Sequence, residues 1–237
     1  MRMWQTIRAA ALGRHCHEKA YAALVLSGGY EEAGDLGRFR VEAGTLILHD
    51  RFEAHLNRFS ACGAVVLNFL LPAGRSFSPG IFHIADPQAI VRKAEKNPSE
   101  AADLMLSMLS SARAATSLHV QNRHYADWPD ELAAALIEDN SLCLSDWSGD
   151  KKLAPWKVSR GFAQVFGISP EAFRARSRAR RACRAIQTTD VPLSEIAAHL
   201  GFADQPHMTR SVKLMTGVAP MAWRHLANRT LQINHCK

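Results

Sequence analysis

The chain has 237 residues, 47% of them hydrophobic and 22% charged, which is enough to bury one or two globular cores. It contains no run of about 18 apolar residues, so no membrane span is expected, and its N-terminus lacks a long apolar segment followed by a small-residue cleavage site, so export is not expected either. The five cysteines are scattered and form no CxxC pair, as expected of reduced thiols. These features predict a cytoplasmic protein.

The net charge of +7 is unevenly distributed along the sequence. Residues 1–149 contain 14 Lys+Arg against 17 Asp+Glu, a balance of −3, and residues 150–237 contain 15 against 5, a balance of +10. A basic C-terminal half beside a mildly acidic remainder indicates a nucleic-acid module attached to a second domain. Basic surfaces also bind membranes and acidic proteins, so the charge alone does not name the partner.

Short apolar runs separated by Gly-rich turns occupy residues 1–85. They are Tyr21–Leu26, Arg38–Val41, Thr45–Leu48 and Ala64–Leu71, and the first of them ends in Ser27-Gly28-Gly29. Strands of this length and spacing predict a small antiparallel barrel or sandwich.

A histidine arrangement within these strands resembles the two motifs of the cupin family. The matching positions are His15, His17, Tyr21, Gly28, Gly44 and His55. In cupins, the HxH pair and the later histidine converge inside a jelly-roll barrel. This sequence differs at three motif positions, with Tyr21 in place of the glutamate of the first motif and Asp50 and Phe52 in place of the Pro and Gly of the second.

The resemblance implies that His15, His17 and His55 form a metal site. His15 and His17 are two residues apart on a strand, so their rings share a face. Three imidazoles suit one Zn, Fe, Ni or Cu ion. Residues near enough in sequence to add a ligand are Tyr21, His49 and Glu53. The same histidines could instead line an effector pocket as neutral, hydrogen-bonded side chains, and both alternatives stay open.

Residues 86–125 are predicted to form a helical linker. The expected helices are Gln88–Glu95 and Glu100–Ala114, separated by a break at Asn97-Pro98, and the polar stretch Ala115–Tyr125 follows them. The second helix contains the apolar run Leu104–Leu109. This stripe can pack against the barrel or form the interface of a homodimer, and the sequence favours neither.

Residues 191–224 have the pattern of a helix-turn-helix. Apolar residues at helical spacing predict a first helix, Pro192–Leu200, which ends at Gly201. Asp204 is suited to cap a second helix, Gln205–Met215. Its expected outward side chains are Gln205, His207, Thr209, Arg210 and Lys213. A polar, basic second helix is typical of one that enters a major groove.

The pattern from Glu195 to Arg224, EIAxxLGFxDQxHMxRxxKxxTGxxPxxWR, resembles the second helix-turn-helix of AraC-type transcription regulators. An earlier stretch, VSRGFAQVFGISPEAFR, repeats MTRSVKLMTGVAPMAWR, with Arg160 and Arg210 50 residues apart. This repeat predicts a first reading helix at Pro155–Phe166, although Ala154 and Trp147 depart from the usual pattern. Its candidate DNA contacts are Lys157, Ser159, Arg160 and Gln164.

The helix predicted at Phe173–Gln187 joins the two copies and carries six arginines. The apolar side is formed by Ala179, Ala182, Cys183 and Ile186. Such a helix would fix the separation of the two reading helices. Some of its arginines are candidates for phosphate contacts, and the others are expected to face solvent.

Taken together, the sequence predicts an α+β multidomain protein. Its parts are a cupin-like β-barrel sensor at 1–85, a helical linker at 86–125 and an all-α tandem helix-turn-helix domain at 126–237. The resemblance implies a transcription regulator without catalytic activity that binds double-stranded DNA, works with RNA polymerase and responds to a small effector or a metal. The alternative is a metal-dependent cupin enzyme fused to a DNA-binding domain.

Overall fold

The structure is a computed structural model that describes residues 3–8, 10–72, 79–115 and 127–225. The chain divides into two compact units, Met1–Tyr125 and Ala126–Lys237. All described strands and the first two helices belong to unit 1, and unit 2 contains only helices in its described part. The predicted α+β class with an all-α C-terminal part is confirmed. Apart from Ala115, the predicted polar linker lies outside the described residues.

The described strands of unit 1 form one seven-stranded antiparallel sheet. Their bounds are Trp4–Ile7 (β1), Ala11–Cys16 (β2), Tyr21–Gly34 (β3), Gly37–Glu42 (β4), Thr45–His49 (β5), Ala54–Leu70 (β6) and Gly80–His83 (β7). The strand order is β1-β6-β3-β5-β7, and in addition β2 pairs with β6 and β4 with β3. The two central strands, β3 and β6, are therefore the ones that hold the sheet together.

Strands β3 and β6 are the two longest described strands. They pair with each other from Tyr21 opposite Leu70 to Gly34 opposite His55, with two register shifts on the way. The prediction that the strand from Tyr21 ends at Ser27-Gly28-Gly29 is wrong, because β3 continues to Gly34 after two register shifts against β6. Gly28 has a φ of 69°, and a Cβ on it would lie 2.0 Å from the carbonyl oxygen of Gly63. The glycines thus mark a bulge at which the backbones of two paired strands approach each other closely, and they do not form a turn.

Helices α1 (Pro87–Lys96) and α2 (Pro98–Ala115) pack against the sheet. Met105 and Leu109 of α2 are buried in the same core as Leu24 of β3 and Leu67 of β6. The apolar stripe at Leu104–Leu109 is therefore used inside the chain's own core. Of the two roles that the sequence left open for it, packing against the sheet is the one observed.

Unit 2 is built around its longest described helix, α6. The helix bounds are Trp128–Glu138 (α3), Leu144–Asp150 (α4), Pro155–Phe166 (α5), Pro170–Thr188 (α6), Leu193–His199 (α7) and Gln205–Thr216 (α8). Its core contains stacked and edge-on aromatic rings from Phe162, Phe166 and Phe173. The buried face of α6 includes Ala179, Ala182, Cys183 and Ile186, the stripe that the sequence predicted.

Neither a disulfide nor a helix able to cross a bilayer occurs in the part of the chain that the structure describes. Cys16, Cys62, Cys143 and Cys183 form no disulfide. None of the described helices combines the length with the apolar composition that a membrane span requires.

Candidate nucleic-acid interface and histidine cluster

The two helix-turn-helix motifs have matching second helices. Helices α5 and α8 are both 12 residues long and both end at a left-handed glycine, Gly167 with φ 74° and Gly217 with φ 77°. In both copies a proline, Pro170 or Pro220, follows that glycine after two residues. The internal repeat inferred from the sequence is therefore present in the backbone as well.

The second motif follows the predicted geometry closely. Gly201 ends α7 with a φ of 71°, the left-handed conformation that stops a helix. The carboxylate of Asp204 caps α8 by accepting the backbone N–H of His207. Met208 and Val212 face inward and are fully buried. These local contacts orient the outer side of α8.

The first motif is held differently at its N-terminal end. Ala154, at the cap position of α5, offers no side-chain acceptor to the first N–H groups of the helix. Trp128 of α3 packs against α5 so closely that a Cβ on Gly161 would lie 2.6 Å from its ring. Trp147 packs beside Trp128, with ring centroids 6.4 Å apart. The aromatic pair explains how a tryptophan is accommodated where a small residue is usual.

Most of the predicted DNA contacts lie on the exposed sides of the two reading helices. The exposed residues are Lys157, Ser159, Arg160 and Gln164 on α5 and Gln205, Arg210 and Lys213 on α8. Two others, His207 and Thr209, are half-buried. The edge of the His207 ring contacts Phe202, with centroids 5.3 Å apart, so His207 also helps to pack the turn.

Two exposed apolar residues on the same helices were not singled out from the sequence. Trp156, in the first turn of α5, is 65% exposed, and the guanidinium of Arg160 lies 5.7 Å from the centroid of its ring. Leu214 of α8 is 91% exposed. The signal was available, because both residues stand at positions that the helical period assigns to the outer face.

Three arginines of α6 bind backbone carbonyl groups of neighbouring elements. Arg174 donates to Leu142 O (2.8 Å), Arg178 to Gly201 O (2.8 Å) and Arg181 to Ile137 O (3.3 Å). The sequence had offered phosphate or solvent as their surroundings. In the structure they satisfy carbonyl groups at or near the ends of α3 and α7 and just before α4, which fixes both motifs to α6.

The charge asymmetry has a different origin from the one that the sequence suggested. Residues 126–149 contain six Asp+Glu and no Lys or Arg, and they belong to unit 2. Residues 1–125 contain 14 Lys+Arg and 11 Asp+Glu, a balance of +3. Unit 1 is thus not acidic. The contrast lies within unit 2, between α3–α4 and the helices that follow.

The structure brings the three histidines of the cupin-like motifs together. The ring centroids are 5.2 Å apart for His15 and His17, 4.5 Å for His15 and His55, and 5.8 Å for His17 and His55. One nitrogen from each ring lies within 4.8 Å of the others. His15 and His17 are half-buried and His55 is buried. Burial and the neighbouring His15 and His49 lower the pKa of His17, so its neutral form is favoured.

A second group of buried polar side chains adjoins His55. His49 stacks on Tyr21 at 4.5 Å, and the hydroxyl group of Tyr21 lies 3.4 Å from His55 Nε2. Glu32 and His49 form a further candidate metal group together with His55. Burial, with Glu32 adding to the effect, raises the pKa of the Tyr21 phenol far above its ordinary value, so the phenol stays protonated.

The turn between β5 and β6 positions three of these side chains. Phe52 stands where the cupin motif has glycine, and it keeps the left-handed backbone, with a φ of 59°. Its N–H group donates to His17 O at 2.8 Å. The turn thereby places His49, Glu53 and His55 beside the strand that carries His15.

Residues 151–225 match the helix-turn-helix domain family. This match agrees with the two helix-turn-helix motifs that α6 joins in unit 2. Part of the chain is similar to the arabinose operon regulatory protein of Escherichia coli K12, at 33% identity over 88 residues, which is 37% of this chain and 30% of that protein.

A second relative matches a similar share of this chain. The uncharacterized HTH-type transcriptional regulator YisR of Bacillus subtilis 168 is 29% identical over 75 residues, 32% of this chain and 26% of that protein. The chain thus matches only about 30% of the length of these curated relatives. The crystal structure of ToxT from Vibrio cholerae O395 aligns with 95% of this chain and 98% of its own, at 12% identity and a TM-score of 0.43. A likeness this weak adds nothing to the architecture described above.

Proposed function

We propose that this protein is a sequence-specific transcription regulator of the AraC type. In this proposal α5 and α8 enter two successive major grooves of double-stranded DNA, about 34 Å apart on one face of the duplex. The observation that carries it is the equivalence of α5 and α8, which share their length, their glycine ends and an exposed polar face. The match of residues 151–225 to the helix-turn-helix domain family supports it.

Arg160 and Arg210 are the side chains that we expect to contribute most to recognition. They occupy equivalent, exposed positions on the two helices. An arginine can bind guanine through two hydrogen bonds, and Gln164 or Gln205 can bind adenine in the same way. The remaining candidates, which would contact bases or phosphates beside them, are Lys157, Ser159, His207, Thr209 and Lys213.

Unit 1 would then be the sensor of the regulator. We expect it to receive a small effector or a metal ion among the side chains near His55. A regulator of this kind acts in the cytoplasm on RNA polymerase at a promoter, without catalysis of its own. We expect a homodimer to use a surface other than the stripe at Leu104–Leu109, because Met105, Leu106 and Leu109 of that stripe are buried in unit 1.

A metal-dependent cupin enzyme fused to a DNA-binding domain is the second candidate. The observation that favours it is the convergence of His15, His17 and His55. Two of these rings are only half-buried, which would leave a bound metal within reach of a substrate. This candidate requires turnover of a small molecule, and that requirement separates it from the first.

Genome-wide mapping of the bound sites tests the regulator directly. The full-length protein should occupy a limited set of promoters that share a two-part sequence. The double variant Arg160→Ala/Arg210→Ala, expressed at the same level, should lose these sites. Arg92→Ala, which removes an exposed charge from unit 1, serves as the control and should keep them. Absence of promoter enrichment for the unmodified protein would contradict the proposal.

A further inference from the structure

A buried group of acidic and histidine side chains lies next to the histidines of the cupin-like motifs. Glu32, His49 and His55 are 4%, 2% and 1% exposed, and one ligand atom of each lies within 4.8 Å of the others. We propose that these three side chains bind one divalent transition-metal ion, with zinc as the ion that suits them best. Two imidazoles and one carboxylate are a donor set that proteins use for zinc. The inference does not depend on DNA binding.

The distance between the first two side chains is that of two ligands on one ion. Glu32 Oε2 lies 3.6 Å from His49 Nε2, whereas a hydrogen bond between charged partners measures about 2.7–2.9 Å. Two ligand atoms bound to zinc at about 2.0–2.2 Å, at near-tetrahedral angles, are roughly 3.3–3.6 Å apart. The distance is therefore too long for a direct hydrogen bond between Glu32 and His49, and a bridging cation fits the gap.

Glu53 holds His49 in the form that a metal ligand needs. His49 Nδ1 donates to Glu53 Oε1 at 3.2 Å, and Glu53 Oε2 accepts the backbone N–H of Asp50 at 3.2 Å. With its proton on Nδ1, the ring presents the lone pair of Nε2 toward Glu32. Metal-binding histidines in proteins are commonly oriented by a carboxylate in this way.

Two polar atoms in this group lack a hydrogen-bond partner among the described residues. They are Glu32 Oε2 and His55 Nδ1, and both belong to side chains that are more than nine-tenths buried. Buried polar groups are nearly always paired, so an unpaired carboxylate oxygen beside an unpaired imidazole nitrogen indicates a missing partner. A cation that binds the carboxylate and the imidazoles would supply it.

Burial changes the protonation of two of the proposed ligands. It raises the pKa of Glu32 to about 7, with His49 opposing the effect and Glu53 adding to it, so a metal ion would compete with a proton for this carboxylate. Burial, together with His49 and His15, lowers the pKa of His55 far below its ordinary value, so that His55 is neutral as a ligand must be.

The histidines of the outer group adjoin the buried site. His15 and His17 are half-buried and have no carboxylate in their own group, so they offer less negative charge to a dication. The ring of His15 lies 4.5 Å from that of His55, which belongs to both groups.

The test compares metal content in four full-length proteins. Each is stripped with chelator, incubated with excess Zn²⁺, desalted and analysed for zinc. The unmodified protein and His17→Ala should retain one zinc per chain, and Glu32→Gln and His49→Gln should retain none. Circular dichroism and melting curves of the stripped proteins verify that each variant is folded. Glu53→Gln, which keeps all three ligands, should weaken binding by about 10–100-fold.

A second measurement needs no substitution. Zinc added to the stripped, unmodified protein should raise its melting temperature, and chelator should reverse the shift. If the unmodified protein retains no zinc, and its melting temperature does not change when zinc is added, the inference is overturned. Loss of zinc from His17→Ala, or its retention by Glu32→Gln or His49→Gln, overturns it as well, since the ion would then be bound by other residues.

Discussion

Arg178 donates a hydrogen bond to the carbonyl oxygen of Gly201 at 2.8 Å and thereby ties the central helix of unit 2 to the turn of the second helix-turn-helix. Its guanidinium group also lies 4.8 Å from the centroid of the Phe202 ring, in cation–π contact. Gly201 directly follows α7, where carbonyl groups have no partner within the helix. Arg178 therefore satisfies a carbonyl group at the end of α7 and also packs against Phe202, which lies just before α8.

Arg178→Ala should lower the free energy of unfolding by about 1–3 kcal/mol, because a carbonyl group loses its partner and Phe202 loses its cation. DNA binding should weaken equally on all sequences. Arg184→Ala, an exposed arginine on the same helix, should change stability by less than about 0.5 kcal/mol. Denaturant unfolding of the three proteins measures this. Unchanged stability of Arg178→Ala, with a smaller salt dependence of DNA binding, would assign Arg178 to phosphate instead.

Arg210→Ala should weaken binding to a mapped site by about 1–3 kcal/mol if Arg210 contacts a base, and discrimination at one base position should disappear. If Arg210 binds phosphate, the loss should be the same on every sequence, and the slope of log K against log salt should shrink by about one. Titrations at several salt concentrations on matched and altered sites separate the two outcomes. Arg92→Ala is the charge-matched control in unit 1. No effect in either assay would remove Arg210 from the interface.

Gly28→Ala should destabilise unit 1 by at least about 2 kcal/mol. The new Cβ would meet the carbonyl oxygen of Gly63 at 2.0 Å, and the backbone at Gly28 is left-handed. Gly13→Ala is the matched control, because no atom lies within 4 Å of its added Cβ. Thermal unfolding of both variants gives the comparison. Equal melting temperatures for the two variants would show that β3 and β6 do not approach each other this closely at Gly28.

The two reading helices should respond in opposite directions to changes at their caps. Ala154→Ser should stabilise unit 2 by about 0.5–1 kcal/mol, since Ser169 already caps α6 from a similar backbone conformation. Asp204→Ala should cost about 0.5–2 kcal/mol, because the N–H group of His207 loses its acceptor. Chemical denaturation measures both changes. Destabilisation by Ala154→Ser would indicate that the entrance to α5 does not tolerate a hydroxyl group.

The helix-turn-helix could be predicted well because its signals are local. Gly201 and Asp204 act on residues within a turn of themselves, so their effect can be read from neighbouring letters. The bonds of Arg174, Arg178 and Arg181 span 23 to 44 residues, and no local pattern distinguishes them from phosphate contacts. The sequence shows that an arginine can donate several hydrogen bonds, but it does not show which acceptors the arginine binds.

The sheet was harder to predict, and one error led to another. The Ser27-Gly28-Gly29 segment has the composition of a turn, and only its register against β6 and its close approach to Gly63, 35 residues from Gly28, reveal it as a bulge. Because the predicted strand stopped there, Glu32 was left outside any element and was not considered beside the histidines. The cupin-like spacing singled out His15, His17 and His55, which the structure brings together, but it could not locate a carboxylate that comes from the C-terminal part of β3.

The arginine bonds of α6 also set a constraint on the DNA. Because α6 is bonded to both helix-turn-helix motifs, the protein sets the angle between α5 and α8. DNA that binds both helices must therefore match that angle. Each base pair inserted between two half-sites rotates one of them by about 34–36°. Under the proposed function, a single inserted base pair in the middle of the operator should therefore be tolerated far less well than a substitution there.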